Sequence, residues 1–263
     1  MNSLSPLLPL PLFVVAVLGG ALNAVGGGAT FLVFPALVFA GVSPLEANVT
    51  ASVALWPASI ATALVYRRNL ATPRGRVGVL AVASAVGAAA GAILLIRTPP
   101  GAFTRLVPYL LLLATLVFTF GEPFAKRLAL RSTDGAGGGL ALAFVVLGQV
   151  AIGVYGGYFG AGMGILMLAQ LSLLRTGDMH AVNAVRSILT MVINAVCVLI
   201  FVSASAVAWR PGAVMMVGAV AGGYAGAHLV RRAPARHVRV LIVAVAWTMT
   251  AYFFFARGAS VPV

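Results

Sequence analysis

The sequence is poor in charge, and above all in carboxylates. Only 8% of its 263 residues are charged, and Asp and Glu together number four. A soluble domain carries about three times that charged fraction. With 62% hydrophobic residues and a mean hydropathy of +1.08, the composition excludes a soluble globular domain. It indicates a polytopic integral membrane protein.

Cysteine and catalytic motifs are equally scarce. The single cysteine, Cys197, excludes an intrachain disulfide and a cysteine metal site. The sequence has no HExxH motif, no GxxxxGK[ST] phosphate loop and no nucleophile with a base in view. We therefore expect a protein that is not an enzyme and that holds no cofactor and no metal.

Because acidic residues are so few, the 17 Lys and Arg residues give a net charge of +13. Nearly all of them lie in short segments between apolar runs, which is the positive-inside pattern of membrane proteins. Basic patches interleaved with aromatic residues on a polar surface, as nucleic-acid binding requires, are absent. The partner that we expect is the lipid bilayer, including its anionic headgroups, and not a nucleic acid. The sequence leaves open whether the protein forms a homo-oligomer.

Apolar runs divide the chain into two halves of four segments each. They are 7–40, 44–66, 77–96 and 103–121 within residues 1–131, and 140–173, 179–205, 211–230 and 238–256 within residues 132–263. The first segment of each half is too long for one span of about 20 residues and too short for two. Each also has a glycine cluster near its middle, which predicts a broken helix in a duplicated transporter. We predict an all-α membrane protein of two repeats, each a broken-helix hairpin followed by three transmembrane helices.

The glycine clusters are GGGAT at 26–30 and GGYFGAGMG at 156–164. Glycine tolerates positive φ and lets other groups approach the backbone. The half-helix after each cluster begins with free N–H groups at a positive dipole end, which favours a bound anion. Close helix packing through small residues is the alternative. The candidate substrate-binding residues of the two clusters are Gly26, Gly27, Gly28, Thr30, Gly160, Gly162 and Gly164.

A polar stripe on the second helix of each half gives further candidates. A shift of 134 residues superposes Gly26, Gly28 and Ala47 on Gly160, Gly162 and Ala181, and a shift of 135 superposes Asn48, Ser52, Ser59 and Thr62 on Asn183, Ser187, Asn194 and Cys197. Spacings of 4, 7 and 3 place each set on one helix face, which Thr190 and Tyr66 join. Interhelical hydrogen bonding is the alternative to a binding site. Two stripes in register beside two glycine breaks favour the site.

Arg186 is the most informative charge, because it lies on or beside the second stripe. An intramembrane arginine usually faces a cavity or a partner, and no carboxylate of the chain is evidently available to it. Its planar guanidinium suits an oxyanion through paired N–H donors. Snorkelling to the interface is the alternative, since a helix that begins near residue 179 places Arg186 only two turns deep.

Loop charges predict the orientation of the halves. The segments richest in arginine, 67–76 and 231–239, lie on one side only if segments 1 and 5 are hairpins that return to their own side. Segment 122–139 then joins them, and the positive-inside rule makes that side cytoplasmic. The two repeats are then inverted, and both termini lie outside the cytoplasm.

The stretch SPLE predicts a helix start. Ser43 is the expected N-cap, Pro44 the first helical residue, and Glu46 the residue that completes a capping box. A proton-coupling role for Glu46 is the alternative.

The stretch GGGATFLVFPALVFAGVSPLEANVTAS at 26–52, with a weaker copy at 156–187, resembles the TauE/SafE sulfite-exporter family. The resemblance covers nearly the whole chain and implies a multi-spanning inner-membrane transporter for sulfite, sulfoacetate or related anions. The family's glycines correspond to Gly26, Gly27 and Gly28, its proline to Pro35, and its Thr-Ser element to Thr50 and Ser52, which the resemblance makes candidate substrate-binding residues. The second half departs from the pattern, with Ala169 in place of a proline and Arg186-Ser187 in place of a Thr-Ser pair.

We therefore expect a secondary transporter, and more specifically an exporter, of a small anionic substrate in a bacterial-type inner membrane. A membrane accessory or assembly protein that transports nothing is one alternative. A passive anion channel is another, because it would share the same site.

Overall fold

The computed structural model describes residues 9–25, 28–70, 72–131, 139–171, 179–229 and 235–255, and all regular structure within these ranges is helical. It forms ten helices: α1 Pro9–Val25, α2 Thr30–Phe39, α3 Pro44–Tyr66, α4 Arg74–Arg97, α5 Pro100–Arg131, α6 Gly139–Tyr158, α7 Met163–Leu171, α8 Met179–Ser203, α9 Trp209–Leu229 and α10 Ala235–Phe255. A 3-10 turn, Arg67–Asn69, follows α3. The predicted all-α fold is confirmed.

The helices are those of a membrane protein. Within the described ranges, four stretches are long and apolar enough to cross a bilayer, and they are Pro44–Tyr66, Arg74–Arg97, Pro100–Gly121 and Ala181–Ser203. Large apolar side chains point outward from the bundle, among them Leu10, Val82, Phe144, Leu199 and Val217. In water such a surface would favour aggregation, whereas in a bilayer it contacts lipid.

Each of the two overlong apolar segments is a helical hairpin. In the first, Gly19 of α1 packs against Val33 of α2. In the second, Gln170 Nε2 of α7 donates to Val145 O of α6 at 2.6 Å. Near its tip, Gly156 packs against Met163. Since residue numbers rise along one arm as they fall along the other, the arms are antiparallel.

The longer arm of each hairpin packs closely against a long helix from the other half of the chain. Helix α1 lies along α9, where Gly218, Gly222 and Gly226 meet the backbone of residues 13, 17 and 21. Helix α6 lies along α4 in the same manner, with Gly87 and Gly91 against the backbone of residues 150 and 154. Small residues allow this backbone-to-backbone approach. In both pairs the two helices run in the same direction.

Helix α3 also runs parallel to α9, because Thr50 contacts Gly212 and Ala58 contacts Gly223. Helices α1 and α3 therefore point the same way, and α2 carries the chain back between them. The first hairpin begins and ends on the same side of the bundle.

Several predicted segment ends differ from the structure by a few residues, and the end of α5 differs by ten. Helix α5 continues to Arg131, through part of the predicted loop 122–139. Helices α4 and α10 begin at Arg74 and Ala235, inside the predicted loops 67–76 and 231–239. Hydropathy marks where the bilayer core ends, but arginine and lysine are good helix formers and the backbone hydrogen bonds continue beyond it.

The start of α3 shows how its sequence sets its position. Ser43 is the N-cap, and its Oγ accepts the Glu46 N–H at 3.4 Å and donates to Glu46 Oε2 at 3.0 Å. The first bond is one half of a capping box, whereas in the other half the Glu46 carboxylate would accept from the backbone N–H of Ser43 rather than from its hydroxyl. Pro44 occupies the first helical position, and Pro35 is buried inside α2.

Candidate functional site

A cavity lies where the two hairpin tips meet α3 and α8. Its volume of about 50 Å³ is enough for a few water molecules or one small ion. Its lining comes from both halves: Asn23, Gly28, Ala29, Thr30, Ser52, Leu55, Ser59, Thr62, Gly156, Phe159, Gly160, Gly162, Met163, Gly164, Arg186, Ser187, Thr190 and Asn194.

The tips turn at glycines that have left-handed backbone. Gly28 has φ +93° and Gly162 has φ +77°. These residues correspond under the 134-residue shift, so both hairpins use the same device. A Cβ on Gly28 would lie 3.0 Å from Ile242 and Phe118, and one on Gly162 would lie 3.3 Å from Ala114 O. Conformation and space both favour glycine here. Gly26 and Gly27 lie outside the described residues.

Both short helices direct their N-termini at the cavity. In α2 the first backbone bonds are Phe31 N–H to Gly28 O and Leu32 N–H to Ala29 O. The N–H groups of Ala29 and Thr30 precede this bonded part, and both residues line the cavity. In α7, Ile165 N–H bonds Gly162 O, and Gly164 lies in the cavity wall. Two positive dipole ends thus face one small space.

Arg186 adds a full positive charge to that space. It lines the cavity with only 4% of its surface exposed, and its Nε has no hydrogen-bond partner. Glu46, the one carboxylate whose side chain the structure describes, is exposed and does not line the cavity. A buried guanidinium without a compensating charge is costly, so the site is suited to an anion.

The structure divides the predicted polar stripes. Ser52, Ser59 and Thr62 of α3 line the cavity, as do Ser187, Thr190 and Asn194 of α8. Asn48, Thr50, Asn183 and Cys197 are not among the lining residues.

Thr50 and Asn48, both predicted to bind substrate, make contacts elsewhere. Thr50 Oγ1 accepts the N–H of Ala208 at 3.0 Å, just before α9 begins. Asn48 Nδ2 donates to Tyr158 O at 3.0 Å, at the end of α6. The side chain of Asn48 therefore fixes the second hairpin near its tip.

Asn23 is a lining residue that the sequence analysis did not select. Its Nδ2 donates to Ser59 Oγ at 3.3 Å, and Asn194 Nδ2 donates to the same atom at 2.9 Å. The sequence does show that Asn23 is a polar residue within the apolar run before the first glycine cluster, which is the feature that could have identified it. Its meeting with Ser59 depends on how α1 packs on α3.

The glycines of the second cluster have two structural roles. Gly156 packs against Met163 and Ile193, and Gly157 packs against the backbone of Ala88. These are the close helix contacts that we considered as the alternative. The positive-φ glycines of the same cluster, Gly160 and Gly162, form the turn instead.

Buried amides tie the second hairpin to α4. Gln149 Nε2 donates to Ser84 Oγ at 2.8 Å, and Gln149 Oε1 accepts from Gln170 Nε2 at 3.3 Å. The corresponding positions of the first hairpin, Val15 and Ala36, are apolar. The second hairpin is therefore held by hydrogen bonds that the first does not have at these positions.

Comparison with known proteins agrees with this architecture. A family model described as "Sulfite exporter TauE/SafE" matches residues 12–253. The chain is 27% identical over 251 residues to the "Probable membrane transporter protein YfcA" of Escherichia coli K12, covering 95% of this chain and 91% of that protein. It is 24% identical to a "Probable membrane transporter protein" of Haemophilus influenzae, covering 94% of each chain. It is 28% identical to "Probable membrane transporter protein ORF9" of Sinorhizobium sp., covering 89% of this chain and 87% of that protein. No solved structure matches the chain.

Proposed function

Because this chain belongs to the sulfite exporter TauE/SafE family of membrane transporters, we propose that it exports small anions as a secondary transporter. The proposed substrates are sulfite, sulfoacetate and related organosulfur or carboxylate anions, and the proposed membrane is the bacterial inner membrane. One observation carries the proposal. Arg186 is buried in a cavity that two half-helix N-termini face, and the lining includes no described carboxylate.

Alternating access is supported by contacts between equivalent residues of the two halves. Ser59 and Asn194, which are 135 residues apart, are hydrogen bonded at 2.9 Å. Thr115 and Thr250, also 135 apart, are hydrogen bonded at 2.9 Å. A residue that contacts its own repeat equivalent lies on the pseudo-two-fold axis that relates the repeats.

The direction of the helices indicates how this axis lies. In the α5–α10 pair, Tyr109 contacts Phe254 while Thr115 contacts Thr250, so the helices are antiparallel. An axis between antiparallel spanning helices lies in the membrane plane, which is the arrangement of inverted-repeat transporters. In such transporters the site lies at the repeat interface, where this cavity is found.

A transporter is favoured over an enzyme by the family and by the cavity itself. Arg186 is the only ionisable side chain among the described residues that line it, so a general acid paired with a general base is not provided there. The accessory-protein alternative gives no role to two half-helix ends that face one buried arginine.

Flux into proteoliposomes tests the proposal. Purified full-length protein is reconstituted, and uptake of sulfite, sulfoacetate and acetate is compared with that of liposomes carrying Arg186→Ala protein. Saturable uptake that is accelerated by unlabelled anion on the opposite side is expected of a transporter. Flux without this counterflow would indicate a channel, and no flux with any anion would favour an accessory protein.

A further inference from the structure

The cavity contains more hydrogen-bond acceptors than a site for a bare anion requires. Resting on the function proposed above, we infer that the transported species is a monoanion that carries its own hydrogen-bond donor, a singly protonated oxyanion such as hydrogen sulfite, rather than a fully deprotonated dianion. Among the substrates proposed above, this selects sulfite over sulfoacetate, which at neutral pH has two negative charges and no donor. The inference follows from the direction of each hydrogen bond around the cavity.

Ser59 fixes the orientation of two amides. Its hydroxyl donates to Leu55 O at 3.2 Å, so its oxygen can only accept from Asn23 and Asn194. Both asparagines therefore present their NH₂ group to Ser59. Their carbonyl oxygens make no hydrogen bond to any residue that the structure describes, and both residues line the cavity. Each supplies an acceptor to whatever the cavity holds.

The other hydroxyls of α3 and α8 around the cavity also donate their hydrogen to an acceptor within the protein. Ser52 donates to Asn48 O at 3.0 Å, Thr62 to Ala58 O at 2.9 Å, and Ser187 to Asn183 O at 2.8 Å. Thr190 directs its hydroxyl at the sulfur of Met167, 3.7 Å away. These bonds use the single O–H of each hydroxyl, so each oxygen can offer a ligand only acceptor lone pairs.

Donors come from a different part of the lining. They are the Arg186 guanidinium, the Thr30 hydroxyl and the N–H groups at the starts of α2 and α7. A ligand that satisfies both sets has anionic oxygens and at least one hydrogen-bond donor, as the O–H of a singly protonated oxyanion provides. A dianion would place oxygens against the carbonyls of Asn23 and Asn194, leaving acceptors opposite acceptors.

Charge is compatible with the same class of ligand. Arg186 is the only ionisable side chain in the described lining and balances one negative charge, and the starts of α2 and α7 add partial positive charge. Three further titratable groups of the described residues lie near the lining, and none is a carboxylate. Tyr155 donates its hydroxyl to Ala161 O, Cys197 is a buried free thiol, and Tyr66 at the end of α3 interacts with Arg186.

Sulfite itself is the best probe, because it exchanges its second proton near neutral pH. Binding to the purified full-length protein is measured by calorimetry in anaerobic buffer at about pH 6 and about pH 8.5, with methanesulfonate as the matched anion. Methanesulfonate has three oxygens and one negative charge at both pH values, but its methyl group cannot donate. We expect sulfite affinity to fall about tenfold or more at the higher pH, as the protonated fraction falls about tenfold per pH unit. Methanesulfonate should bind about tenfold more weakly than sulfite at the lower pH, without changing between the two.

Three variants assign the preference to the amides. Asn23→Leu and Asn194→Leu, tested separately, should bring the affinities for sulfite and methanesulfonate at low pH to within about threefold of each other. Thr30→Val is the control, because loss of a donor should weaken both anions by the same factor. If neither leucine variant folds, the wild-type comparison alone decides.

Two results would overturn the inference and leave the proposed function intact: sulfite that binds equally at both pH values, or affinity that depends on sodium at fixed pH. The second would assign the free oxygens to a cation. If no anion binds at either pH, the proposed function fails as well.

Discussion

At the residue scale, the charge on Arg186 is the property that most directly determines what the cavity binds. It is 4% exposed, and the described lining offers it no carboxylate. Removing one partner of a buried, hydrogen-bonded charge pair costs about 2–5 kcal/mol of binding free energy. Each step of about 1.4 kcal/mol corresponds to a tenfold change in affinity.

Arg186→Ala should therefore weaken anion binding by at least about thirtyfold. Arg186→Lys should recover part of this loss, because it restores the charge but not the planar fork. Calorimetry on the purified proteins measures both, with Arg97→Ala at the exposed end of α4 as the control. An alanine variant with wild-type affinity would mean that Arg186 is not a substrate ligand.

The left-handed backbone at Gly162 gives a second residue-scale prediction. Gly162→Ala requires an L-residue at φ +77°, with its Cβ 3.3 Å from Ala114 O. We expect a loss of about 1–2 kcal/mol in stability and weaker anion binding, because the start of α7 moves. Gly75→Ala is the matched control, since a Cβ there has open space around it. Thermal melting in detergent compares the two, and equal melting temperatures would contradict the argument.

The sequence predicted local features of the site better than contacts between distant segments. Sequence spacing indicates the glycine breaks, Arg186 and much of the polar stripe. Residues on one helix face stay together wherever the helix packs. Asn23 was missed, and Asn48 and Thr50 were assigned to the substrate, because their partners Ser59, Tyr158 and Ala208 lie on other elements. Helical periodicity cannot tell which polar residue faces a cavity and which faces another backbone.

At the element scale, the same distinction separates what was predicted from what was not. Helix α3 covers the same residues as the apolar segment 44–66, since a Ser-Pro cap starts the helix and charge follows its end. The extension of α5 to Arg131 was missed, because composition reports the bilayer and not the end of the hydrogen-bonded helix. The buried amide network of the second hairpin was also missed, since its members are joined only when α4, α6 and α7 pack.

Gln149 should be important for holding the second hairpin against α4. It is fully buried, and both ends of its side-chain amide are hydrogen bonded. Gln149→Leu keeps the size but removes both bonds, and we expect a loss of about 1–3 kcal/mol from the partners left without them. The fall in melting temperature should be partly reversed by the double variant Gln149→Leu with Gln170→Leu. Additive losses in the double variant would show that the two amides act independently.

At the scale of the whole molecule, the hairpin arrangement predicts which surface faces which compartment. Single cysteines at Gly75 and Ala204, both exposed, should react with a membrane-impermeant maleimide from the cytoplasmic and periplasmic sides respectively, because segment 5 returns to its own side between them. The native Cys197 is buried, so background labelling is low. Labelling of both positions from one side would refute the proposed topology.

The scarcity of carboxylates also predicts how transport is driven. The membrane potential supplies about 2.3 kcal/mol per unit charge per 100 mV, and no described carboxylate lines the cavity to relay protons. Efflux of a monoanion should therefore respond to an imposed potential at matched pH and sodium. Proteoliposome uptake under an interior-positive potential measures this, and uptake that requires a sodium gradient instead would contradict it.

The meeting of Ser59 with Asn194 bears on how such a gene could arise. If the two halves descend from one segment that once paired with a second copy of itself, these positions were originally a single codon, and any mutation changed both partners at once. Joining the copies in one reading frame let them diverge. Thr115 and Thr250 are still the same residue type, whereas Ser59 now has a hydroxyl opposite the amide of Asn194. Arg186 corresponds to Ala51 in the other half. Duplication and fusion would thus have produced what identical subunits could not encode: a centre with one cation instead of two.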